Sequence, residues 1–240
     1  MKKTQQFIME NNLIVSEKFT SIQGEGQTMG KPSIFLRLAG CNLLCKSSSW
    51  VCDSIEVWKK GILTNFKDVF TPKEVQKLRE GHHLIVTGGE PLLHQRRLHG
   101  FFTWFYEVYD FTPIIEVESN ATIIPSTSFS TWVSYYNFSP KLETSGESLS
   151  KRFNSDLLKR ASNWNNTIFK FVVSEERDIT EIILMFLPFI NQKQVTLMPD
   201  GDSKESLDKT RVFVAESAIK HGFNYSDRLH ISIWNQKTGV

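Results

Sequence analysis

Four short motifs each follow directly on a stretch that reads as a β-strand, and this repetition constrains the fold more than any other feature. Residues 33–39 (Ser33-Ile34-Phe35-Leu36-Arg37-Leu38-Ala39) run into Gly40-Cys41. Residues 83–87 run into Gly88-Gly89-Glu90-Pro91, residues 132–138 into Ser139-Pro140-Lys141, and residues 194–197 into Met198-Pro199-Asp200-Gly201. Helices are expected between them. One starts at the Thr71-Pro72-Lys73-Glu74 cap and stops at Gly81; others are expected at 91–109, 151–162, 178–190 and 204–221, the last with Gly222 as its C-cap. Further strands are expected at 13–22 (interrupted or bent), 113–118, 167–173 and 229–234, with polar loops at 125–131 and 142–150. Strands alternating with helices at this spacing predict parallel βαβ units, hence an α/β fold. Both an open doubly wound sheet and a complete or partial barrel satisfy the pattern. In either, ligands sit at the C-terminal ends of strands, so the four motifs are expected to converge on one mouth. Within 33–39, Ile34, Leu36 and Leu38 share one face, and Phe35 and Arg37 the other.

Composition narrows the class. The 240 residues are enough for a full core, and no linker, repeat or low-complexity run divides them, which predicts one domain over 1–240. A formal net charge of +2 gives no case for nucleic acid or a membrane surface. No apolar run is long enough to span a bilayer or to form a signal peptide, so a cytoplasmic, reducing compartment is the expectation. The 18 Phe and 6 Trp read as core packing before they read as a pocket for a flat ligand.

All three cysteines, Cys41, Cys45 and Cys52, fall within one serine-rich stretch of twelve residues. In a reducing compartment an odd cluster of thiols favours metal or redox chemistry over disulfides. Closed zinc sites and electron-transfer iron–sulfur clusters want four ligands. A cubane held by three thiols leaves one iron open for another ligand, as a reactive [4Fe-4S] cluster requires. Buried hydrophobic cysteines are the plain alternative, but a polar loop makes a poor core stripe. A zinc site completed by histidine is the other. Here His82, His83, His94, His99, His221 and His230 show no finger-like spacing. Gly88-Gly89-Glu90-Pro91 permits close approach of a ligand to the backbone, and also suits a simple tight turn.

Clustered cysteines followed by Gly-Gly-Glu-Pro resemble the radical S-adenosylmethionine (SAM) superfamily. The block Ser21-Ile22-Gln23-Gly24-Glu25-Gly26, with Gly30, Pro32, Phe35, Arg37, Leu38 and Gly40-Cys41-Asn42-Leu43, is more specific. It resembles the 7-carboxy-7-deazaguanine synthase family of queuosine and deazapurine biosynthesis. Ser139-Pro140-Lys141 and the tail His230-Ile231-Ser232-Ile233-Trp234-Asn235-Gln236-Lys237 resemble it too, so the likeness spans nearly the whole chain.

The resemblance implies an abridged, partial βα TIM-like barrel of the radical SAM type, often in a homodimer. The implied reaction converts 6-carboxy-5,6,7,8-tetrahydropterin to 7-carboxy-7-deazaguanine with loss of ammonia. It requires the [4Fe-4S] cluster, SAM, Mg2+ and a flavodoxin- or ferredoxin-type electron donor. By the same resemblance Cys41, Cys45 and Cys52 would ligate the cluster. Gly88, Gly89 and Glu90 would hold the methionyl part of SAM, with Ser139, Pro140, Lys141, Met198, Pro199 and Asp200 further out. Ile22, Gln23, Gly24, Glu25 and Thr87 would meet the pterin. Arg37 would pair with its carboxylate, where a planar fork suits two-point contact, although a plain strand arginine is the simpler reading of that residue alone. Ser54 would offer a hydroxyl oxygen to magnesium.

The chain departs from the family pattern at three places. Ser54 stands where threonine is frequent, and Met198 where glutamine is common. The second cysteine gap holds six residues, Lys46 to Val51, in place of the superfamily's usual two, which implies a remodelled loop. Rival readings are another radical SAM enzyme such as a glycyl-radical activase, a zinc-stabilised binding protein, and a homologue that binds without turnover.

Overall fold

The computed structural model describes residues 11–47, 51–52 and 54–240. Along the chain the elements are β1 (Asn12–Ile22), β2 (Pro32–Leu38), α1 (Ile55–Trp58), β3 (Ile62–Asn65), α2 (Phe66–Val69), α3 (Pro72–Arg79), β4 (His83–Gly88), α4 (Gln95–Tyr109), β5 (Ile114–Ser119) and α5 (Thr127–Ser130). They continue with β6 (Tyr135–Phe138), α6 (Leu149–Arg152), α7 (Ser155–Ala161), β7 (Thr167–Val173), α8 (Glu176–Glu181), β8 (Val195–Pro199), α9 (Lys204–His221), β9 (Asn224–Tyr225) and α10 (Leu229–Trp234).

The strands form one sheet in the order β3-β1-β2-β4-β5-β6-β7-β8-β9. From β2 to β9 every pairing is parallel; β1 runs antiparallel to both β2 and β3. The first and last strands do not pair, so this is an unclosed, mostly parallel α/β sheet. The expected bend in the first strand is a register shift between Val15 and Glu17.

Alternation sorts each parallel strand into two faces. Leu36, Val86, Val117, Phe138, Phe171 and Leu197 join one buried apolar cluster with residues of the helices, among them Phe101, Phe105, Leu157 and Phe186. The opposite face is polar. Register carries it across the sheet from Arg37 beside Thr87, through Glu116 and Glu118 of β5 and Asn137 of β6, to Lys170 beside Thr196. Burying carboxylates and a lysine on a sheet face is costly unless they are paired, so this face reads as a built site.

The helix at 71–80 begins as expected, on a Thr71–Glu74 capping box with Pro72 in the first turn. Other boundaries differ. Pro91–His94 is a 3-10 turn before α4, and α8 passes into a π-turn over Ile182–Phe186. The helix expected at 151–162 is two helices, because Phe153 is extended and Asn154 caps the second by accepting from the Leu157 amide. The strand expected at 229–234 is helix α10. Ile231 and Ile233 imitate a strand's two-residue period, but only Ile231 is buried.

Candidate functional site

The cysteine loop leaves the C-terminal end of β2 and lies against the glycine turn that leaves β4. The Gly89 amide donates to the Leu38 carbonyl at 3.3 Å, and the Glu90 amide to the Gly40 carbonyl at 2.9 Å. A Cβ on Gly89 would sit 2.3 Å from the Gly40 carbonyl oxygen and 2.6 Å from the Cys41 Cβ. One on Gly88 would sit 2.4 Å from the Leu38 carbonyl oxygen. Here the glycines admit the protein's own backbone, the feature that brings the two motifs together. Glu90 is fully buried and turned sideways. It accepts from the Leu92 amide at 2.9 Å, the Asn120 amide at 2.7 Å and the Ser119 hydroxyl at 3.1 Å, bracing the ends of β4 and β5. Burial pushes its pKa up to about 7, against those donors and Lys141.

The two ends of the six-residue gap between the second and third cysteines are joined to each other. Lys46 bridges Val51 in antiparallel register, and the Cys52 amide donates to the Cys45 carbonyl at 3.1 Å. Residues 48–50 and 53 lie outside the described residues. Cys45 and Cys52 therefore flank one closing rung. Cys41, at the start of the loop, accepts from the Asn120 side-chain Nδ2 at 3.8 Å. Burial raises the pKa values of Cys41 and Cys45, the latter to about 11, while Lys141 nearby opposes the shift. Among the described residues no set of three His, Cys, Asp or Glu side chains is close enough to hold a single metal ion. A cubane is wider than one ion, and three soft thiols in one loop with Lys141 nearby are ligands of the kind it takes. The Ser54 hydroxyl lies 3.5 Å from the Cys52 sulfur.

Ser139, Pro140 and Lys141 follow β6, with the Ser139 amide donating to Ser119 at 2.7 Å and Lys141 Nζ to the Ser139 hydroxyl at 3.3 Å. A cleft runs from Pro140 and Lys141 to Ser174, Glu175 and Asp200. Of the β8 motif, Met198 is buried beside Val172, while Asp200 reaches the cleft.

The Gln23–Thr28 loop folds over the polar face. Gln23 Nε2 donates to Glu116 at 2.7 Å and to Glu118 at 3.2 Å, and Thr28 Oγ1 and Asn137 Nδ2 also donate to Glu116. Glu25 is held between Lys170 and Arg228, the latter at 3.0 Å. Burial works to raise its pKa, but Lys170, Arg228 and His230 outweigh burial and hold it well below the ordinary carboxylate range. Lys170 is raised in turn: burial opposes its charge, and Glu25 and Glu118 more than restore it. The tail closes this loop from above. The Leu229 amide donates to the Gly24 carbonyl at 2.9 Å, and a Cβ on Gly24 would meet His230 Nδ1 at 2.1 Å. Arg37 stands beside Thr87 on the same face, with its Nε on Glu17 at 2.7 Å.

The structure thus brings the cysteine loop, the glycine turn, Ser139–Lys141 and Asp200 to one end of the sheet, and Gln23, Glu25, Arg37 and Thr87 to one polar face. Sequence reasoning missed Glu116, Glu118, Asn137, Lys170 and Arg228. The period-two pattern of Ile115-Glu116-Val117-Glu118 and the lone lysine in Phe169-Lys170-Phe171 were the available signals.

An unclosed, mostly parallel βα sheet with clustered thiols and a glycine turn at one end agrees with the radical SAM type of fold that the sequence resemblance implies. No protein-family model matches the chain. Curated relatives match almost all of it. The 7-carboxy-7-deazaguanine synthase of Halobacterium salinarum is 32% identical, the match covering 93% of this chain and 91% of that protein. The synthase of Pyrobaculum aerophilum is 31% identical, over 94% and 96%. The crystal structure of QueE from Escherichia coli shares the fold, with a TM-score of 0.67 and 23% identity, over 94% of this chain and 98% of that one. The chain belongs to the 7-carboxy-7-deazaguanine synthase family.

Proposed function

We propose that this chain is a 7-carboxy-7-deazaguanine synthase that contracts the ring of 6-carboxy-5,6,7,8-tetrahydropterin to 7-carboxy-7-deazaguanine with loss of ammonia. The observation that carries the reading is the contact of Gly88–Glu90 with Gly40 and Cys41, directly above a polar sheet face. In this reading it would set a thiol-held cofactor near the sheet face of paired charges. Cys41, Cys45 and Cys52 would hold a [4Fe-4S] cluster, which with SAM supplies the 5′-deoxyadenosyl radical that starts the chemistry.

The protein's own part is to bind, orient and exclude water. The turn Gly88-Gly89-Glu90 presents backbone to the methionyl end of SAM. Its Glu90 side chain acts from behind, by fixing Asn120 and Ser119. Pro140, Lys141 and Asp200 line the cleft that suits the rest of SAM, with Ser139, Met198 and Pro199 next to them on the same strand ends. Ile22, Gln23 and Gly24 present amide groups to the pterin, and Glu25, kept ionised by Lys170 and Arg228, accepts from its amino edge. Thr87 and Arg37 would hold the substrate's acid end, and the Ser54 hydroxyl would offer an oxygen to Mg2+.

The whole of 1–240 acts as one radical SAM domain, working as a homodimer in the cytoplasm with a low-potential flavodoxin- or ferredoxin-type donor. No helix among the described residues is long and apolar enough to cross a membrane. Anaerobic purification and reconstitution test the reading. About four irons per chain, and SAM cleavage to 5′-deoxyadenosine that is lost in Cys52→Ala, are expected. Zinc without iron, or cleavage that survives Cys52→Ala, would overturn the ligand set.

A further inference from the structure

The mechanism above gives no part to Glu143–Arg152, yet this segment is built tightly onto the cysteine loop. Gly146 has φ +77°, and a Cβ there would lie 2.3 Å from the Lys46 carbonyl oxygen and 3.3 Å from the Ser47 Cβ. One residue on, the Glu147 carboxylate accepts the amide of Leu44, which precedes Cys45. Its side chain is only 7% exposed, and Lys151 lies 3.5 Å away. Arg152 is buried behind it. Its Nε donates to the Glu147 carbonyl at 3.2 Å, and its Nη1 to the Lys141 carbonyl at 2.9 Å and to Glu181 at 2.6 Å. The other Glu181 oxygen accepts the Glu143 amide at 2.8 Å. One guanidinium thus fixes two points together: the carbonyl of Lys141 at the cleft, and the backbone of the residue that holds Leu44.

We propose that Glu143–Arg152 is a clamp on the cluster loop, in which Glu147 is a positioning residue that sets the thiol geometry and the redox potential of the bound cluster, and Arg152 anchors Glu147. The inference rests on the cluster reading above. Two physical effects are separable. As a hydrogen-bond acceptor, Glu147 holds the Leu44–Cys45 backbone at the position from which Cys45 and Cys52 face one another. As a shielded negative charge beside Cys45, it disfavours adding an electron to the cluster, because net charge and local polarity set cluster potentials. The loop carrying the six-residue gap is the part such a support steadies: Lys46 bridges Val51, the Cys52 amide donates to the Cys45 carbonyl, and Glu147 holds the residue before Cys45 from outside the loop.

The test uses the full-length chain, reconstituted anaerobically, with thermal unfolding as a control for folding. Glu147→Gln keeps a carbonyl acceptor and removes the charge. It should hold the same iron, release it to a chelator at the wild-type rate, and show a more positive midpoint potential for the SAM-free cluster. Glu147→Ala removes both and should release iron about fivefold faster, the worth of one net hydrogen bond. In the iron-free chain, Glu147→Ala should also speed hydrogen exchange across Cys41–Ser47. Arg152→Lys, which keeps the charge and cannot bridge three acceptors, should speed iron release without moving the potential as far as Glu147→Gln does. If the wild type holds four irons and both Glu147 variants match it in potential, release rate and exchange, the clamp is overturned and the cluster reading stands. If the wild type binds no iron, the cluster reading falls first.

Discussion

Gly89 is a glycine because Gly40 and Cys41 pass within van der Waals distance of where its side chain would be. The sequence shows a glycine pair after a strand; it does not show whether a ligand or the chain itself requires the space. Gly89→Ala must push the two loops apart, and overpacking of this kind costs about 1–3 kcal/mol. Urea unfolding should show that loss, and reconstituted protein should hold less iron per chain. An unchanged midpoint with full iron would contradict the contact. Cys41, Cys45 and Cys52 were legible as a set from their number and spacing alone. Glu116 and Lys170 were less so, since a single charged residue in an apolar strand does not announce its partner. Only the register that puts Gln23, Thr28 and Asn137 around Glu116 does that.

At the scale of elements, the loop Gln23–Thr28 is held by opposite charges that come from β7 and from the segment after β9. Lys170, Arg228 and His230 face Glu25 and keep its pKa below the ordinary value. A carboxylate whose folded pKa is depressed adds stability that is complete above its unfolded pKa, about 4.5, and is lost as pH falls through the folded value. The stability difference between wild type and Glu25→Gln, from urea unfolding, should therefore be full at about pH 6 and shrink progressively below about pH 4.5. A difference that does not shrink on acidification would mean that Glu25 is not held as a charged partner. The elements themselves were mostly legible, because β2, β4, β5, β7 and β8 carry clear apolar alternation or runs and α3 a full capping box. The failures have physical causes. Helix α10 was hidden by a two-residue apolar period, and β3 by its shortness and its exposed Ile62 and Leu63. The Lys46–Val51 bridge was hidden because a polar, serine-rich stretch has no hydrophobic period to read.

In the whole molecule, an unclosed, mostly parallel sheet carries two different surfaces, its strand ends and its polar face. Strand ends collect backbone-rich motifs (the cysteine loop, the glycine turn, Ser139–Lys141 and Asp200), the residues proposed to hold the cofactors. The polar sheet face below, roofed by Gln23–Thr28 and the tail, presents paired charges suited to a polar heterocycle with an acid group. In the proposed function neither part alone gives the chemistry; it needs the strand-end motifs, joined to one another through Gly89 and Gly40, together with the polar face. The measurement that tests this most directly is an anaerobic incubation of the reconstituted chain with SAM, reductant, Mg2+ and 6-carboxy-5,6,7,8-tetrahydropterin, read by mass spectrometry and ammonia release. The account predicts 7-carboxy-7-deazaguanine with an equal amount of ammonia, and slower turnover when Mg2+ is withheld. Sustained SAM cleavage with no deazapurine product would contradict it.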